Sequence, residues 1–587
     1  DWEVPIIPDG QCDCRVDAPA AAHLPAPGGE VDVSYTARTE GVTEGLTENL
    51  KDGVTEGFTE GLIEGKGSNN WAVNGSRSAT GMPILAGDMH LSLSLPAIWY
   101  EVHMVTPTMN VYGVTFPNAP SITEGITPTT AWAFTNTGSD QLDTYLLDST
   151  ADGEGYRFDG EVLPFETEID TIHVKGGEPV VDTLRVSRFG PVVEEDGRAY
   201  SLRWVGHEFG TTFDAVWDMN RAINYQQFEE AIRQWDYPMQ NILYAGADST
   251  IAIRSTGFLP VRRSGSGFGV LDGTSTADDW TGRVPFDELP HMINPESGYA
   301  TSTNQRPAGA WYPYYLGRDW GSIFRSIRID SLLSSSATHS AADLMRYQSD
   351  VRAVQADLLL PRTEHLDDLS PRARAVRDRL LEWDRVMSVD SRDATVFHWF
   401  MDALSESLWD KETFAGLPRP EEVRALEAAS RPEIAGRLGV SDGDATGRLD
   451  ALLADALETA AGHMVDDVPT WGAVHRVVFR HMAFSDALLP LNRGPFPYPG
   501  TAQTLSPARN LTVTHSASWR VVVDFSTTPP AAWGVYPGGQ SGNPFSPLYD
   551  AHLPAYLDFR YYPLSLAERP EDVPTDVRPV GASEIGR

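Results

Sequence analysis

Cysteine and long apolar runs are scarce in this sequence. Its 587 residues include only two cysteines, Cys12 and Cys14, both near the beginning of the chain. The long remainder therefore has no cysteine nucleophile, no thiolate metal site and no disulfide framework. No apolar run reaches the roughly 18 residues that a membrane-spanning helix needs, so the sequence predicts no membrane span.

Positive charge is scarce as well, and lysine most of all. Asp and Glu number 82 against 45 for Lys and Arg, which gives a net charge of −37. Such an acidic chain argues against nucleic acid or an anionic membrane surface as a partner. Apolar residues make up 41% of the chain and aromatic residues 10%, which is enough to bury a large core.

The first 67 residues differ from the rest. Residues 1–38 are rich in Pro, Ala and Asp without sustained periodicity, and from Thr39 to Lys66 the chain repeats in fours, as in Thr-Glu-Gly-Leu. A four-residue period drifts around a helix, and each glycine inside a helix costs about 1 kcal/mol relative to alanine. The sequence therefore predicts an exposed acidic spacer at 39–67 that is easy to cut.

Residues 68–587 have the composition of a folded body. The predicted strands include Asn70–Val73, Ile84–Ala86, Trp99–Met104, Val111–Thr115, Ala131–Thr135, 166–174, 182–187, 242–254 and Trp519–Phe525. The predicted helices are Tyr225–Trp235, Ala341–Leu360, Pro371–Val386 and Ala394–Trp409. These patterns indicate an α+β body with an inserted, mainly helical lobe at about 335–490.

Ser68 stands at the junction of spacer and body. If the Gly67–Ser68 bond were cut, the Ser68 hydroxyl would lie beside its own α-amine, whose reference pKa is about 7.7–8.0. A base with such a pKa suits general-base catalysis, and an N-terminal amine is a known activator of a nucleophile. Taken alone, the dipeptide is more simply interpreted as the end of a Gly-Ser linker, so the choice depends on the rest of the chain.

Four clusters of residues follow Ser68 in a fixed order. They are Ser68–Trp71 with Gly75–Gly81 and Leu85–Leu91; Ala131–Gly138 with Asp140–Asp143; Gly298–Gln305 with Tyr312–Leu316 and Arg325–Ile329; and Gly538–Pro547. In this order they resemble the penicillin acylase family of N-terminal nucleophile hydrolases, which includes penicillin, cephalosporin and acyl-homoserine lactone acylases. The resemblance extends from Ser68 to about Leu566 and implies that superfamily's four-layer αββα sandwich.

The resemblance implies a self-processing amide hydrolase. Family members are precursors with an α segment, a spacer and a catalytic β chain, and each precursor cuts itself before the β chain. Residues 1–38 would then be a remnant of the α segment or a leader, 39–67 the spacer and 68–587 the β chain. Ser68 would attack Gly67 first and then a linear amide, releasing an acid and an amine such as a homoserine lactone or β-lactam nucleus. The uncut chain would be inactive, because its α-amine is still an amide.

Five further residues receive roles from the resemblance. The backbone N–H of Asn136 and the side chain of Asn304 would bind the oxyanion, although Asn304 alone could be an ordinary turn residue. His90 would help to orient the α-amine, or would be a structural histidine. Arg325 would hold Asn304 or the substrate, with a surface salt bridge as its alternative. Phe134 would line an apolar acyl pocket.

The resemblance also implies one structural calcium ion and no organic cofactor. Asp140 and Asp143, with the Leu142 carbonyl between them, supply the oxygen ligands that calcium prefers. A further ligand would come from the α segment, and the expected aspartate near Tyr312–Leu316 is missing or shifted. The family's proteins lead us to expect a periplasmic or secreted protein whose partners are an amide substrate and the α segment.

The motif of one other hydrolase class is missing here. The sequence contains no H-E-x-x-H motif of zinc proteases. His90 favours the lactone or cephalosporin acylases over the penicillin G acylases. The alternative outside this class is a non-catalytic binding protein that keeps the same fold.

Overall fold

The computed structural model describes residues 5–14, 67–195, 197–208, 210–318, 320–408, 445–482, 486–574 and 577–585. The predicted spacer at 39–67 lies outside these residues except for Gly67. Most of the predicted α-segment remnant at 1–38 lies outside them too. The fold described below is therefore that of residues 5–14 and of the predicted β chain.

Strands occupy the beginning and the end of the β chain, and most helices lie between them. The strands are β1 (Gly67–Val73), β2 (Ile84–Ser92), β3 (Ser94–Leu95), β4 (Tyr100–Thr106), β5 (Met109–Thr115), β6 (Glu124–Ile126), β7 (Thr130–Asn136), β8 (Leu142–Ser149), β9 (Gly155–Phe158), β10 (Glu161–Pro164), β11 (Glu166–Ile172), β12 (Val180–Ser187), β13 (Gly190–Glu195), β14 (Arg198–Trp204), β15 (Gln240–Gly246), β16 (Ile251–Thr256), β17 (Pro260–Arg262), β18 (Val270–Asp272), β19 (Trp280–Arg283), β20 (His291–Ile293), β21 (Tyr299–Ser302), β22 (Arg476–His481), β23 (Arg493–Pro497), β24 (Thr512–Val513), β25 (His515–Asp524), β26 (Ala531–Val535) and β27 (Tyr562–Leu564). The α-helices are α1 (Thr212–Met219), α2 (Tyr225–Ile232), α3 (Ile323–Ser334), α4 (Ala341–Gln348), α5 (Val354–Leu359), α6 (Pro371–Glu382), α7 (Arg392–Leu408), α8 (Ala445–Gly462), α9 (Trp471–Val474) and α10 (Leu553–Leu557).

Two antiparallel sheets pack face to face at the centre. One has the strand order β21-β1-β2-β25-β26-β27, and the other has the order β20-β16-β15-β7-β6-β5-β4. Ala72 of β1, Leu85 of β2 and Ala133 of β7 point into the space between the sheets. Because successive residues of a strand point to opposite faces, Trp71 and Trp132 point outward from the two sheets.

Helices cover both outward faces. Trp71 packs in one core with residues of α3 and α4, such as Ile329 and Leu344. Trp132 packs against Phe228 of α2, with ring centroids 5.8 Å apart. The layers are therefore helix, sheet, sheet and helix, which confirms the predicted α+β class and the αββα sandwich. Both faces of β7 are buried, which explains the apolar run Ala131–Phe134 in its sequence.

A mainly helical lobe follows the first strands and has its own core. Helices α5 to α8 bury Phe397, Phe400 and Leu457 among one another. The predicted helix Ala341–Leu360 is in fact two helices, α4 and α5. Between them Asp350 binds the Arg328 guanidinium through both carboxylate oxygens, at 2.9 and 2.6 Å. The lobe also ends earlier than predicted, because β22 begins at Arg476. Among the described residues, no helix combines the length and apolar character that crossing a membrane requires.

A third sheet extends from the end of β7. Its strand order is β10-β9-β8-β14-β13-β12-β11, with β18 beside β8. Residues 137–141 form the loop that joins β7 to β8, and we call this segment the β7–β8 loop. It connects the core sandwich, which carries Ser68, to the third sheet.

Residues 5–14 pack against the sandwich. Ile6 and Ile7 are buried in the core between the two central sheets. Their N–H groups donate to the carbonyl oxygens of residues 306 and 307, at 2.9 and 3.1 Å. Cys12 and Cys14 form a disulfide with each other. Burial and hydrogen bonds thus hold this short segment against the β chain.

Candidate active site

Ser68 lies at the start of β1, a strand that pairs with β2 on one side and with β21 on the other. Only 5% of its surface is exposed. Its N–H donates to Oδ1 of Asn304 at 2.6 Å, and its hydroxyl donates to the carbonyl oxygen of Gly67 at 2.7 Å. The predicted nucleophile is therefore next to the predicted scissile carbonyl, and its nitrogen is held by a predicted oxyanion residue.

Asn304 connects Ser68 to the end of β7. Its Oδ1 also accepts a hydrogen bond from Nη2 of Arg325 at 3.1 Å, and its Nδ2 donates to the carbonyl oxygen of Asn136 at 3.0 Å. An amide nitrogen carries two hydrogens, so one remains for an oxyanion. The backbone of Asn304 has a φ of 70°, a left-handed conformation that Asn tolerates better than most residues. A Cβ added at Gly321 would lie only 2.8 Å from Asn304 Cβ, so Gly321 allows this close approach.

Arg325 extends from the first turn of α3 into the site, where it is 4% exposed. Its Nη1 donates to the carbonyl oxygen of Ser68 and to Oδ1 of Asn69, both at 2.7 Å. The structure thus contradicts the alternative of a surface salt bridge. A buried guanidinium that bridges three residues fixes the backbone of the nucleophile.

His90 lies beside Gly67, not beside the Ser68 hydroxyl. The strand register pairs Gly67 with His90 and Ser68 with Met89, and directly paired residues share a face of the sheet. The His90 side chain is therefore on the opposite face from that of Ser68. A Cβ added at Gly67 would lie 3.2 Å from Nδ1 of His90. His90 is next to the peptide that would be cut.

Asp88 contacts His90, and the sequence analysis predicted no role for it. Its Oδ2 lies 3.1 Å from Nε2 of His90, and Nδ2 of Asn69 lies 3.4 Å from the same ring nitrogen. Burial lowers the pKa of His90, the Asp88 carboxylate opposes that shift, and Arg325 and Arg520 add to it. The spacing Asp-x-His on a strand could have indicated this pair, because residues two apart share a face.

The two predicted residues of β7 have different surroundings. Asn136 ends the strand half-buried, and its Oδ1 accepts a hydrogen bond from Nε2 of Gln240 at 2.7 Å. Phe134 is buried in the core beneath α1 and α2, where its ring lies 5.2 Å from that of Trp235. Strand alternation turns Phe134 outward from the sandwich, so its placement gives no support to the predicted pocket role.

A cavity of about 690 Å³ begins at Asn136. Aromatic and polar side chains line it, among them Trp204, Tyr237, Phe268, Tyr315 and Arg318. The β7–β8 loop forms one of its walls. The cavity therefore offers space for a small organic group next to the Asn136 end of the site.

The predicted calcium ligands lie at the end of the β7–β8 loop and the start of β8. Asp143 is fully buried, and Arg262 binds both of its carboxylate oxygens. Burial raises the pKa of Asp140 to about 6, and the nearby Arg262 acts in the opposite direction. Within the described ranges, no group of three or more His, Cys, Asp or Glu side chains is arranged to hold a metal ion. These surroundings fit a calcium ion poorly.

Comparisons with known proteins identify the kind of molecule to which this site belongs. A solved structure of a thermostable penicillin G acylase from Alcaligenes faecalis matches with a TM-score of 0.70 and 18% identity, over 87% of this chain and 98% of that one. This likeness shows the fold, the four-layer αββα sandwich. A family model described as penicillin amidase matches residues 17–572, so the chain belongs to the penicillin amidase family.

Curated relatives with similar sequences are named as acylases, which hydrolyse amide bonds. Penicillin acylase 2 proenzyme of Pseudomonas sp. (strain SE83) is 28% identical over 529 residues, covering 85% of this chain and 67% of the relative. Acyl-homoserine lactone acylase QuiP of Pseudomonas aeruginosa is 26% identical over 567 residues, covering 84% and 66%. The chain thus spans about two thirds of the length of these relatives.

Proposed function

We propose that this protein is a self-processing acylase, which cuts its own Gly67–Ser68 bond and then hydrolyses a linear amide through an acyl-serine at Ser68. The observation that carries this proposal is the 2.6 Å hydrogen bond from the Ser68 nitrogen to Asn304. The atom that would become the α-amine is already held beside the predicted oxyanion residue. Family membership and the acylase relatives support the same reaction class.

Self-cleavage would begin within the Gly67–Ser68 peptide. The Ser68 Oγ attacks the Gly67 carbonyl carbon, the C–N bond breaks, and the Ser68 nitrogen takes up a proton to become an amine. The resulting ester between Gly67 and Ser68 Oγ is then hydrolysed by water. His90 is suited to carry a proton here, because burial keeps its imidazole neutral near pH 7 and Asp88 lies against Nε2.

The freed amine then serves as the base for amide hydrolysis. It takes the proton of Ser68 Oγ, directly or through a water molecule, while Oγ attacks the substrate carbonyl. The oxyanion is stabilised by the backbone N–H of Asn136 and by the second N–H of Asn304 Nδ2. The amine product leaves with the proton, and water attacks the acyl-serine to release the carboxylic acid.

The cavity at Asn136 suggests which substrates fit. Its volume of about 690 Å³ and its aromatic lining suit a compact acyl group or ring rather than a polypeptide. We therefore propose an N-acyl homoserine lactone or an acylated β-lactam as the substrate. The α segment of the precursor would complete the pocket, and a periplasmic or secreted location would give access to such substrates.

The test combines intact-mass spectrometry with turnover measurements on the full chain. We expect incubation to produce a new N-terminus at Ser68, followed by release of free acid from a panel of N-acyl homoserine lactones and acylated β-lactams. Ser68→Ala should abolish both, whereas Ser76→Ala, a change at an exposed serine nearby, should leave both intact. A chain that stays uncut and releases no acid would favour a binding protein instead.

A further inference from the structure

The β7–β8 loop is fastened at its far end by one arginine. Arg262, the last residue of β17, places Nε 2.7 Å from Oδ2 of Asp143 and Nη2 2.9 Å from Oδ1. Nη2 also donates to the carbonyl oxygen of Asp140 at 3.0 Å and lies 3.5 Å from Oδ1 of that residue. One guanidinium therefore meets two carboxylates and a backbone carbonyl, the kinds of oxygen that otherwise bind calcium.

The space around this arginine is closed. The Arg262 side chain is 1% exposed and that of Asp143 is 0% exposed. Nε1 of Trp280 donates a further hydrogen bond to Oδ2 of Asp143, at 2.5 Å. A Cβ added at Gly267 would collide with both Asp143 and Arg262, so the backbone covers the pair closely. A metal ion would therefore have to displace the guanidinium.

We propose that the Arg262 guanidinium takes the structural place of the calcium ion that the family resemblance implies, and that it positions Asn136 through the β7–β8 loop. An arginine stays charged at every pH that proteins tolerate. The β7–β8 loop is therefore held by a buried side chain that is always positively charged. The loop begins directly after Asn136, whose N–H is the proposed oxyanion donor. Arg262 thus acts on the proposed reaction as a positioning residue.

The calcium arm of the test uses the full chain and does not depend on activity. We expect neither excess calcium nor a chelator to change the melting temperature of the wild type, and we expect calorimetry to detect no calcium binding. Arg262→Ala leaves two carboxylates without their cation, so its melting temperature should fall and calcium should partly restore it. Stoichiometric calcium binding by the wild type, or an Arg262→Ala variant that calcium does not stabilise, would overturn the proposal.

The kinetic arm uses Arg262→Lys, which keeps the positive charge but loses the bidentate contact with Asp143. This variant also provides a test if Arg262→Ala fails to fold. This arm rests on the proposed function. We expect kcat to fall by a larger factor than KM changes, because the Asn136 N–H meets the oxyanion only in the transition state, whereas the loop is one of several walls of the cavity.

The matched control is Arg254→Lys. Arg254 is also buried, and its Nη2 binds Oε1 of Glu229 at 2.6 Å on β16, which β15 separates from β7. It should lower the melting temperature without lowering kcat. An equal loss of kcat in both variants would reduce Arg262 to a structural residue, whereas a wild type without turnover would count against the proposed function alone.

Discussion

Gly67 and His90 face each other directly across β1 and β2, and a Cβ on Gly67 would lie 3.2 Å from His90 Nδ1. That distance is tighter than most contacts of real Cβ atoms, so any side chain before Ser68 must push the imidazole aside. The glycine at this position therefore leaves room for the histidine beside the peptide that would be cut.

The Gly67→Ala variant should cut itself more slowly than the wild type. The added methyl group moves His90 from the scissile peptide, and intact-mass spectrometry over time measures the rate. The cleaved β chain in the same sample is the control. Cleavage removes residue 67, so this β chain has the wild-type sequence. Turnover per cleaved molecule should equal that of the wild type, and an equal cleavage rate would contradict the steric argument.

Asn304→Gly should retain the fold but lose about 100- to 1000-fold in kcat, the usual cost of removing one oxyanion donor. Glycine accepts the left-handed backbone of Asn304, so the loss reports the side chain alone. Steady-state kinetics on the cleaved protein measures it. Asn118→Ala is the control for backbone strain, because Asn118 has a φ of 74° in an exposed turn. That variant should lose stability and keep its kcat.

Asp88→Asn should shift the pH dependence of self-cleavage. The Asp88 carboxylate raises the pKa of His90 against the larger effect of burial. Without that negative charge the pKa of His90 falls further, so the neutral imidazole persists to lower pH. The acid limb of the cleavage rate, followed from about pH 4 to about pH 8, should therefore move to lower pH. An unchanged limb would mean that His90 does not carry the proton.

Glu124→Gln should make the protein more stable at neutral pH than the wild type is. Glu124 is 1% exposed, and burial raises its pKa from 4.5 to about 8, although the Phe134 N–H opposes the shift. Between these values the unfolded chain loses a proton that the folded chain keeps. The wild type therefore loses stability as the pH rises from 4.5 towards 8, by at most about 1.4 kcal/mol per pH unit.

Melting temperatures in a Ser68→Ala background, which keeps the chain uncut, measure this difference. The gain from Glu124→Gln should be small below pH 4.5, where Glu124 is mostly protonated in both states, and should increase towards pH 8. Glu166→Gln on the exposed strand β11 is the control and should show no such increase. A gain independent of pH would contradict the raised pKa of Glu124.

The sequence predicted best those features that depend on the residues of a single strand or helix. The runs around Trp71 and Trp132 predict strands because both faces of each strand are buried. The helix predicted at Pro371–Val386 begins where α6 begins, although α6 ends at Glu382. Because both faces of β7 are buried, its sequence does not indicate which face points to the other sheet and which points to the helices. The alternation of Ala and aromatic residues did not reveal that Phe134 turns towards α2 and away from the site.

The sequence could not predict contacts between segments that are far apart in the chain. Asp143 and Arg262 are 119 residues apart, and no local pattern says which of 41 arginines meets which carboxylate. The calcium prediction considered the two aspartates and the Leu142 carbonyl, and it did not foresee that Arg262 lies against both carboxylates. The Asp88–His90 pair, by contrast, follows from spacing within one strand and could have been predicted.

The packing of residues 5–14 decides what happens to the piece that self-cleavage would release. After the Gly67–Ser68 bond is cut, the segment that ends at Gly67 would be a polypeptide separate from the β chain. The Cys12–Cys14 disulfide closes within that polypeptide and forms no bridge to the β chain. Ile6 and Ile7 are nevertheless inserted between the two sheets. The mature molecule would therefore be a two-chain particle held together without a covalent bond, and dilution in denaturant would separate its subunits.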